Sequence, residues 1–283
     1  RRVHGVRGYF SLYDIPRDVL PYLDLPARGD IFAPGGAAPV RTIFDELADA
    51  GAPFRVWDYR CDEERSFAEL EEAAVRGRER YLFLYTAALD ADLHRFGSRD
   101  GRVAARLERY RERIERVAKA ARSSGGARVF VLGDHGMCDV HSRIDVMSSV
   151  RALDFAIPGD YIPFYDSTMA RFRIFSQAVR SRLETLLASV PGGRILGNEE
   201  LRALGVGGSG GKFGDLVFLA DPGVIIAPSH MGAEAMAAMH GYHPDAPHSY
   251  AALLSNQVNV ADDVTAIPHL YSLMVQEAEQ ARA

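Results

Sequence analysis

The chain contains few cysteines, no long apolar run and no large excess of charge of either sign. Its two cysteines among 283 residues, Cys61 and Cys138, are too few for a disulfide framework and form no Cys-x-x-Cys metal pair. No apolar run approaches the roughly 20 residues that span a bilayer. The 33 basic and 38 acidic residues give a formal net charge of −5, so no basic face for nucleic acid is expected.

The beginning of the chain shows no recognisable targeting signal. It starts Arg1-Arg2-Val3-His4, without Met, and no charged region followed by an apolar stretch comes after. The compartment therefore stays open, with the cytoplasm as the default expectation. The high content of Ala and Arg favours a GC-rich bacterial source.

Helix-like and strand-like patterns alternate after a loop region, residues 1–39, that is rich in Pro, Gly and aromatic residues. Amphipathic periodicity indicates helices at 42–50, 63–77 and 101–123, and short apolar runs indicate strands at 53–59, 81–87 and 127–132. Strands that alternate with helices predict an α/β fold with a mostly parallel sheet sandwiched by helices.

The alternation is interrupted between residues 155 and 212. A strand-like stretch (168–175), a helix-like stretch (177–189) and a Gly-rich run (205–211) together predict a small inserted α/β cap subdomain. The predicted domains are a core over 1–154, the cap over 155–212 and a continuation of the core over 213–283. That continuation holds strand-like runs at 215–220, 224–227 and 250–254 and a helix at 267–283.

Three short motifs carry residues that can hold a metal ion. The strand-like run 129–132 ends in Gly133-Asp134-His135-Gly136-Met137, and ligands collect at the carboxyl ends of strands in α/β sheets. The run 81–87 is followed by Asp90 and His94, whose i, i+4 spacing puts both side chains on one helical face, although Asp92 competes with Asp90 as the carboxylate. The third motif is His240-Gly241-Tyr242, in a loop after the last core strands.

As a set, these motifs resemble those of the alkaline phosphatase superfamily, and within it the nucleotide pyrophosphatase/phosphodiesterase-like branch. The resembling residues are Asp90-x-x-x-His94-x-x-Gly97, Gly133-Asp134-His135-Gly136-Met137 and His240-Gly241-Tyr242, within a region from Tyr81 to Asn256. The resemblance implies an alkaline-phosphatase-like core and two metal ions bridged by a phosphoryl group. One ion would be held by Asp90, His94 and His240, and the other by Asp134 and His135.

The resemblance also implies two residues that cannot be matched here. They are a further Asp ligand on the first strand and a Ser or Thr nucleophile, both N-terminal to a His-Gly pair that resembles His4-Gly5. We therefore expect the catalytic nucleophile to lie before Arg1 and this chain alone to be inactive. Two carboxylates and three imidazoles form a ligand set that suits Zn²⁺ first and Mn²⁺ second.

The expected function is metal-dependent hydrolysis of a phosphoric diester or pyrophosphate through a Ser or Thr phosphoenzyme, with small nucleotide-type substrates first. The alternatives are phosphomonoester or sulfate-ester hydrolysis, phosphoglycerate-mutase-like chemistry, and a non-catalytic metal-binding domain. His230, His243 and His248 are candidates for phosphate contact or for substitute ligands, but we expect each to be a polar loop residue or a hydrogen-bond partner that orients a ligand. The run Gly207–Lys212 lacks the spacing of a phosphate-binding loop and is expected to be an ordinary loop.

Overall fold

The computed structural model describes residues 14–23, 29–123, 125–206, 212–257, 260 and 264–280. Expectations for His4 and for the stretch 207–211 concern positions outside the described residues. No helix in the described part of the chain is both long and apolar enough to cross a membrane.

Each helix predicted from the sequence has a counterpart in the structure, and two short helices, at 146–151 and 198–203, were not predicted. In chain order the helices are α1 (Ile43–Asp49), α2 (Glu63–Arg76), α3 (Ala88–Phe96), α4 (Gly101–Ser123), α5 (Val146–Arg151), α6 (Gln177–Ser189), α7 (Asn198–Ala203) and α8 (His269–Gln280). Local capping explains the bounds of α2, because the Asp62 carboxylate accepts a hydrogen bond from the Arg65 amide at 2.8 Å. The same helix ends at Gly77, whose φ of 61° suits a residue without a Cβ.

The strands in the described residues are short and belong to five separate sheets. They are β1 (Phe54–Trp57), β2 (Tyr81–Leu84), β3 (Phe130–Leu132), β4 (Cys138–Asp139), β5 (Ser142–Ile144), β6 (Tyr161–Tyr165), β7 (Met169–Ile174), β8 (Gly193–Ile195), β9 (Leu216–Ala220), β10 (Val224–Ile226), β11 (Ala238–Met239) and β12 (Leu253–Ser255). Parallel pairing joins β1 with β2 and β5 with β10. Antiparallel pairing joins β3 with β12 and β4 with β11.

The α/β class is confirmed, but the strand pairing differs from the expected mostly parallel sheet. The largest sheet in the described residues has the order β6-β7-β9-β8 and is antiparallel throughout. Its strands β6 and β7 are joined by a short connection, which allows antiparallel neighbours only, whereas parallel neighbours need a long crossover. The two parallel pairs in the described residues are β1 with β2, which helix α2 connects, and β5 with β10, whose strands lie far apart in sequence.

The inserted segment and the strand after it form one sheet. β9 hydrogen-bonds with β7 on one side and β8 on the other, so the predicted boundary between residues 212 and 213 separates strands that pair. The predicted boundary fails there because β9 is buried along its whole length and is an inner strand of that sheet, between β7 and β8. The division of the chain into three domains stays a prediction.

Two apolar clusters hold the elements around the candidate site. The larger one packs α5 and α6 against the inserted sheet, with Phe172 and Phe218 fully buried at 0% exposure. Loss of either ring would cost about 3–5 kcal/mol. The second packs α1 and α8 onto β1 and β2, around Phe44 and Leu47. The candidate site lies beyond the carboxyl ends of β2 and β3.

Candidate metal centre

Asp90 and His94 lie on α3, which begins shortly after β2. The spacing of four residues places both side chains on one face of the helix, and the Asp90 Oδ1 to His94 Nε2 distance is 3.4 Å. Asp90 stands in the first turn, where the positive end of the helix dipole stabilises a carboxylate. The helix therefore presents a charged oxygen and an imidazole nitrogen together.

Two further imidazoles face the same carboxylate oxygen. His240 Nε2 lies 3.9 Å from Asp90 Oδ1, and His135 Nε2 lies 4.0 Å from it. The His135 and His240 rings are stacked, with centroids 3.7 Å apart and planes inclined by 18°. The structure thus brings Asp90, His94, His135 and His240 together from three distant parts of the sequence.

The Asp90 Oδ1 atom is buried and has no hydrogen-bond partner among the described residues. A buried carboxylate oxygen without a partner is costly, so such atoms in proteins are usually bonded to a donor or to a metal ion. The candidate ligand atoms of Asp90, His94 and His240 all lie within 4.8 Å of one another. Ligand atoms around a tetrahedral Zn²⁺ are about 3.3 Å apart, so this group fits one ion after a small contraction.

Hydrogen bonds from the far side of two rings leave their Nε2 atoms free to bind an ion. His94 Nδ1 lies 2.8 Å from the carbonyl oxygen of Ala238, and His135 Nδ1 lies 2.9 Å from that of Gly136. A carbonyl oxygen can only accept, so in each ring Nδ1 carries the proton. The lone pair is then on Nε2, the atom that faces Asp90.

The His240 ring is held in its neutral form. Burial lowers the pKa of His240 to about 4, and the neighbouring His135 and His94 rings act in the same direction. At neutral pH the imidazole therefore offers a lone pair rather than a second positive charge. That is the protonation state that a metal ligand needs.

Asp134 is arranged differently from the other four. Its side chain is 68% exposed, and its Oδ1 atom lies 3.5 Å from His135 Nε2. Asp134 is thus the most exposed of the five, while the candidate ligand atoms of Asp90, His94 and His240 lie close together. This asymmetry matches the expectation of one fuller ion site and one that needs further ligands. The ligand roles of all five residues stay predictions.

Backbone pairing joins the three segments that carry these residues. β4, just after His135, pairs with β11, just before His240, through Cys138 opposite Met239. The Ala237 amide donates to the carbonyl oxygen of His94 at 2.9 Å, which ties α3 to β11. Gly136 is required at its position, because a Cβ there would lie 2.2 Å from the carbonyl oxygen of His248.

Several alternative candidates lie elsewhere. Asp92, which competed with Asp90 in the sequence, forms an ion pair with Arg106 of α4. His243 Nε2 lies 3.1 Å from Glu200 Oε1, on the inserted segment. His230 is buried between the Phe164 and Tyr165 rings. The carbonyl oxygen of His248 lies close to the backbone of Gly136.

A cavity of about 310 Å³ adjoins the first turn of α3, the helix that bears Asp90. It lies at the carboxyl ends of the parallel strands β1 and β2, and the side chains that line it include Asp58, Tyr59, Glu63 and Tyr85. The Tyr59 and Tyr85 ring centroids are 6.5 Å apart with the planes inclined by 82°. Sequence reasoning missed these residues; the only signal was a tyrosine soon after each of two strands.

Comparison with known proteins adds to this geometry. The sequence model of the family described as type I phosphodiesterase / nucleotide pyrophosphatase matches residues 28–243. The chain belongs to this family. The matched range includes Asp90, His94, Asp134, His135 and His240. Comparison with curated proteins finds no match.

Solved structures share the fold at low sequence identity. Murine ectonucleotide pyrophosphatase/phosphodiesterase 5 is 15% identical, with a TM-score of 0.60 over 75% of this chain and 62% of its own. An inactive variant of the murine protein in complex with AMP gives 14% identity and a TM-score of 0.63, over 83% and 69%. Phosphonoacetate hydrolase from Sinorhizobium meliloti 1021, in complex with phosphonoformate, is 16% identical with a TM-score of 0.54, over 78% and 56%. The chain thus spans 62% of the length of the first of these structures. The fold that it shares with them confirms the expected alkaline-phosphatase-like α/β fold.

Proposed function

We propose that this chain carries the metal centre of a phosphodiesterase or nucleotide pyrophosphatase that uses two divalent ions, zinc first and manganese second. The observation that supports it best is the buried Asp90 Oδ1 atom, which has no hydrogen-bond partner among the described residues and faces three imidazole Nε2 atoms. Carboxylate and imidazole donors in this arrangement suit Zn²⁺.

In this proposal the chain's residues have distinct tasks. Asp90, His94 and His240 hold one ion, and Asp134 and His135 contribute to the other. Ions held by these residues would supply positive charge that stabilises the oxygens of a phosphoryl group during its displacement. The carbonyl oxygens of Ala238 and Gly136 keep His94 and His135 in the tautomer that coordinates. The proposed mechanism includes a Ser or Thr nucleophile that forms a phosphoenzyme, and no described residue is assigned as this nucleophile.

The cavity beside α3 supports a nucleotide-type substrate. Its volume of about 310 Å³ is within the range of small-molecule sites, and its Tyr59 and Tyr85 rings offer faces for a planar group. A relative with this fold was solved in complex with AMP. We infer that the base or another planar part of the substrate lies in this cavity while the phosphoryl group lies against the metal ions.

A second candidate is a metal-binding domain without catalysis. It is favoured by the fact that no nucleophile is identified among the described residues. Both candidates predict that the protein binds zinc. The first predicts that the full gene product hydrolyses an ester, and the second predicts that it does not.

The experiment combines a zinc titration with hydrolysis of three p-nitrophenyl esters, a phosphodiester, a phosphomonoester and a sulfate. In the zinc titration, His240→Ala should abolish the tighter site, while His269→Ala, an exposed histidine on α8, should leave it intact. In the full gene product the diester should be hydrolysed fastest. A dominant monoester or sulfate rate would contradict the diesterase assignment, and zinc binding without hydrolysis of any ester would favour the second candidate.

A further inference from the structure

The inserted sheet reaches the metal centre at Thr168, in the connection between β6 and β7. Thr168 is 3% exposed, and its hydroxyl donates a hydrogen bond of 2.8 Å to the carbonyl oxygen of Gly241. Gly241 is the residue directly after His240. A buried hydroxyl is costly unless it is bonded, so this contact is retained as long as the two segments stay in place.

The connection that carries Thr168 is itself firmly held. The Thr168 carbonyl oxygen accepts a hydrogen bond from the Ala220 amide of β9 at 2.8 Å, and the Ser167 carbonyl oxygen accepts one from the Ile226 amide of β10 at 2.8 Å. Both of those strands are buried along their whole length. The Thr168 hydroxyl therefore projects from a rigid support and not from a free loop.

The loop on the other side is shaped to receive this hydroxyl. Gly241 has a φ of 88°, and a Cβ at this position would lie 2.8 Å from Thr168 Oγ1. One residue further, the buried Tyr242 hydroxyl donates to the carbonyl oxygen of Val224 at 3.1 Å. Two hydrogen bonds thus fix the backbone just after His240, while the pairing of β11 with β4 fixes it just before.

We propose that Thr168 is a positioning residue for His240, one that sets the direction in which its ring faces Asp90 and His94 through the hydrogen bond to Gly241. The inference rests on the proposed metal centre. It gives the inserted segment a specific task, because a side chain of that segment determines the placement of a metal ligand in the core.

The test compares zinc affinity among four proteins by calorimetric titration of the full chain with Zn²⁺ alone. Thr168→Val keeps the shape and removes the hydroxyl, Thr168→Ser restores the hydroxyl, and Thr185→Val is a matched control. The Thr185 hydroxyl, which is exposed, makes a bond of the same length, 2.8 Å, to the Ser181 carbonyl oxygen within α6. We expect Thr168→Val to bind zinc about tenfold more weakly, and the other two variants to bind like the wild type.

A second readout needs no metal. The NMR signals of the His240 ring in the zinc-free protein should shift in Thr168→Val and return to the wild-type position in Thr168→Ser. Thr168→Ala, which also lacks the hydroxyl, takes the place of the valine variant if that one does not fold.

The outcomes separate the inference from the proposed function. A folded Thr168→Val protein with wild-type zinc affinity, or with a lower melting temperature as its only defect, would overturn the positioning role. If the wild type itself binds no zinc, the proposed metal centre is wrong, and the NMR signals of His240 alone decide the inference. A shift of these signals in Thr168→Val that is absent in Thr168→Ser supports the positioning role, and unchanged signals in Thr168→Val refute it.

Discussion

Replacement of His230 by Phe is expected to make the unfolding free energy less sensitive to acid. The His230 ring is 1% exposed and packs edge-on against the Phe164 and Tyr165 rings, with centroid distances of 5.4 and 5.2 Å. Burial lowers the pKa of His230 to about 4; Arg151 acts in the same direction and Asp18 in the opposite one. The fold therefore holds this ring in its neutral form.

The size of the effect follows from the two pKa values. In the unfolded chain the pKa of a histidine is about 6.5. Because the pKa of His230 is lower in the folded protein, its contribution is fully present above about pH 6.5 and is lost as the pH falls towards 4. Between pH 7.5 and pH 4.5 the protonation of the unfolded chain removes about 2.5 kcal/mol of stability.

Urea unfolding at these two pH values measures the effect, with EDTA present so that metal binding does not contribute. The loss of stability between pH 7.5 and pH 4.5 should be about 2.5 kcal/mol smaller in His230→Phe than in the wild type, whatever the variant costs at neutral pH. His269→Phe, at an exposed position on α8, should keep the wild-type loss. An equal loss in His230→Phe and the wild type would refute the reasoning, since it would mean that the buried ring is protonated without penalty.

Two further predictions concern the metal centre and the cavity. Asp90→Asn should lower zinc affinity more than about 100-fold, because loss of a residue that only hydrogen-bonds to a metal ligand already lowers affinity about 10- to 100-fold. The control is Asp92→Asn, whose zinc affinity should stay within about threefold of the wild type because the Asp92 carboxylate pairs with Arg106. Calorimetry decides between them, and an equal loss in both variants would count against Asp90. Tyr85→Ala should weaken AMP binding about 5- to 150-fold, because stacking of a base on an aromatic ring is worth about 1–3 kcal/mol. Tyr271→Ala, an exposed tyrosine on α8, is the control, and unchanged binding in Tyr85→Ala would place the base elsewhere.

The helices could be predicted from the sequence because their signals are local. The predicted helix at 63–77 and the observed α2 differ by one residue, since the Asp62 cap and Gly77 are both encoded beside the helix. Strand β6 was not predicted, because Pro163 in its middle has no amide hydrogen to donate, and such a run does not read as a strand. Its antiparallel pairing with β7, with Pro163 opposite Phe172, is decided by the tertiary structure.

The candidate site shows the same division between local and distant signals. Its five residues could be named because each belongs to a short motif near the end of a strand or in a turn. The choice of Asp90 over Asp92 came from the family resemblance and not from local pattern, because Arg106, which pairs with Asp92, lies on the neighbouring helix α4. A tyrosine soon after each of two strands was the only signal for the cavity in the sequence, and it was not enough, because Tyr59 and Tyr85 meet only when β1 pairs with β2.

Anomalous diffraction from a zinc-soaked crystal tests the central claim most directly, because it locates the ion without reference to activity. The strongest peak should lie between Asp90 Oδ1 and the Nε2 atoms of His94 and His240, at about 2.0–2.2 Å from each. A weaker peak beside Asp134 and His135 would agree with the more open second site. A strongest peak elsewhere on the chain, with no density between Asp90, His94 and His240, would contradict the account.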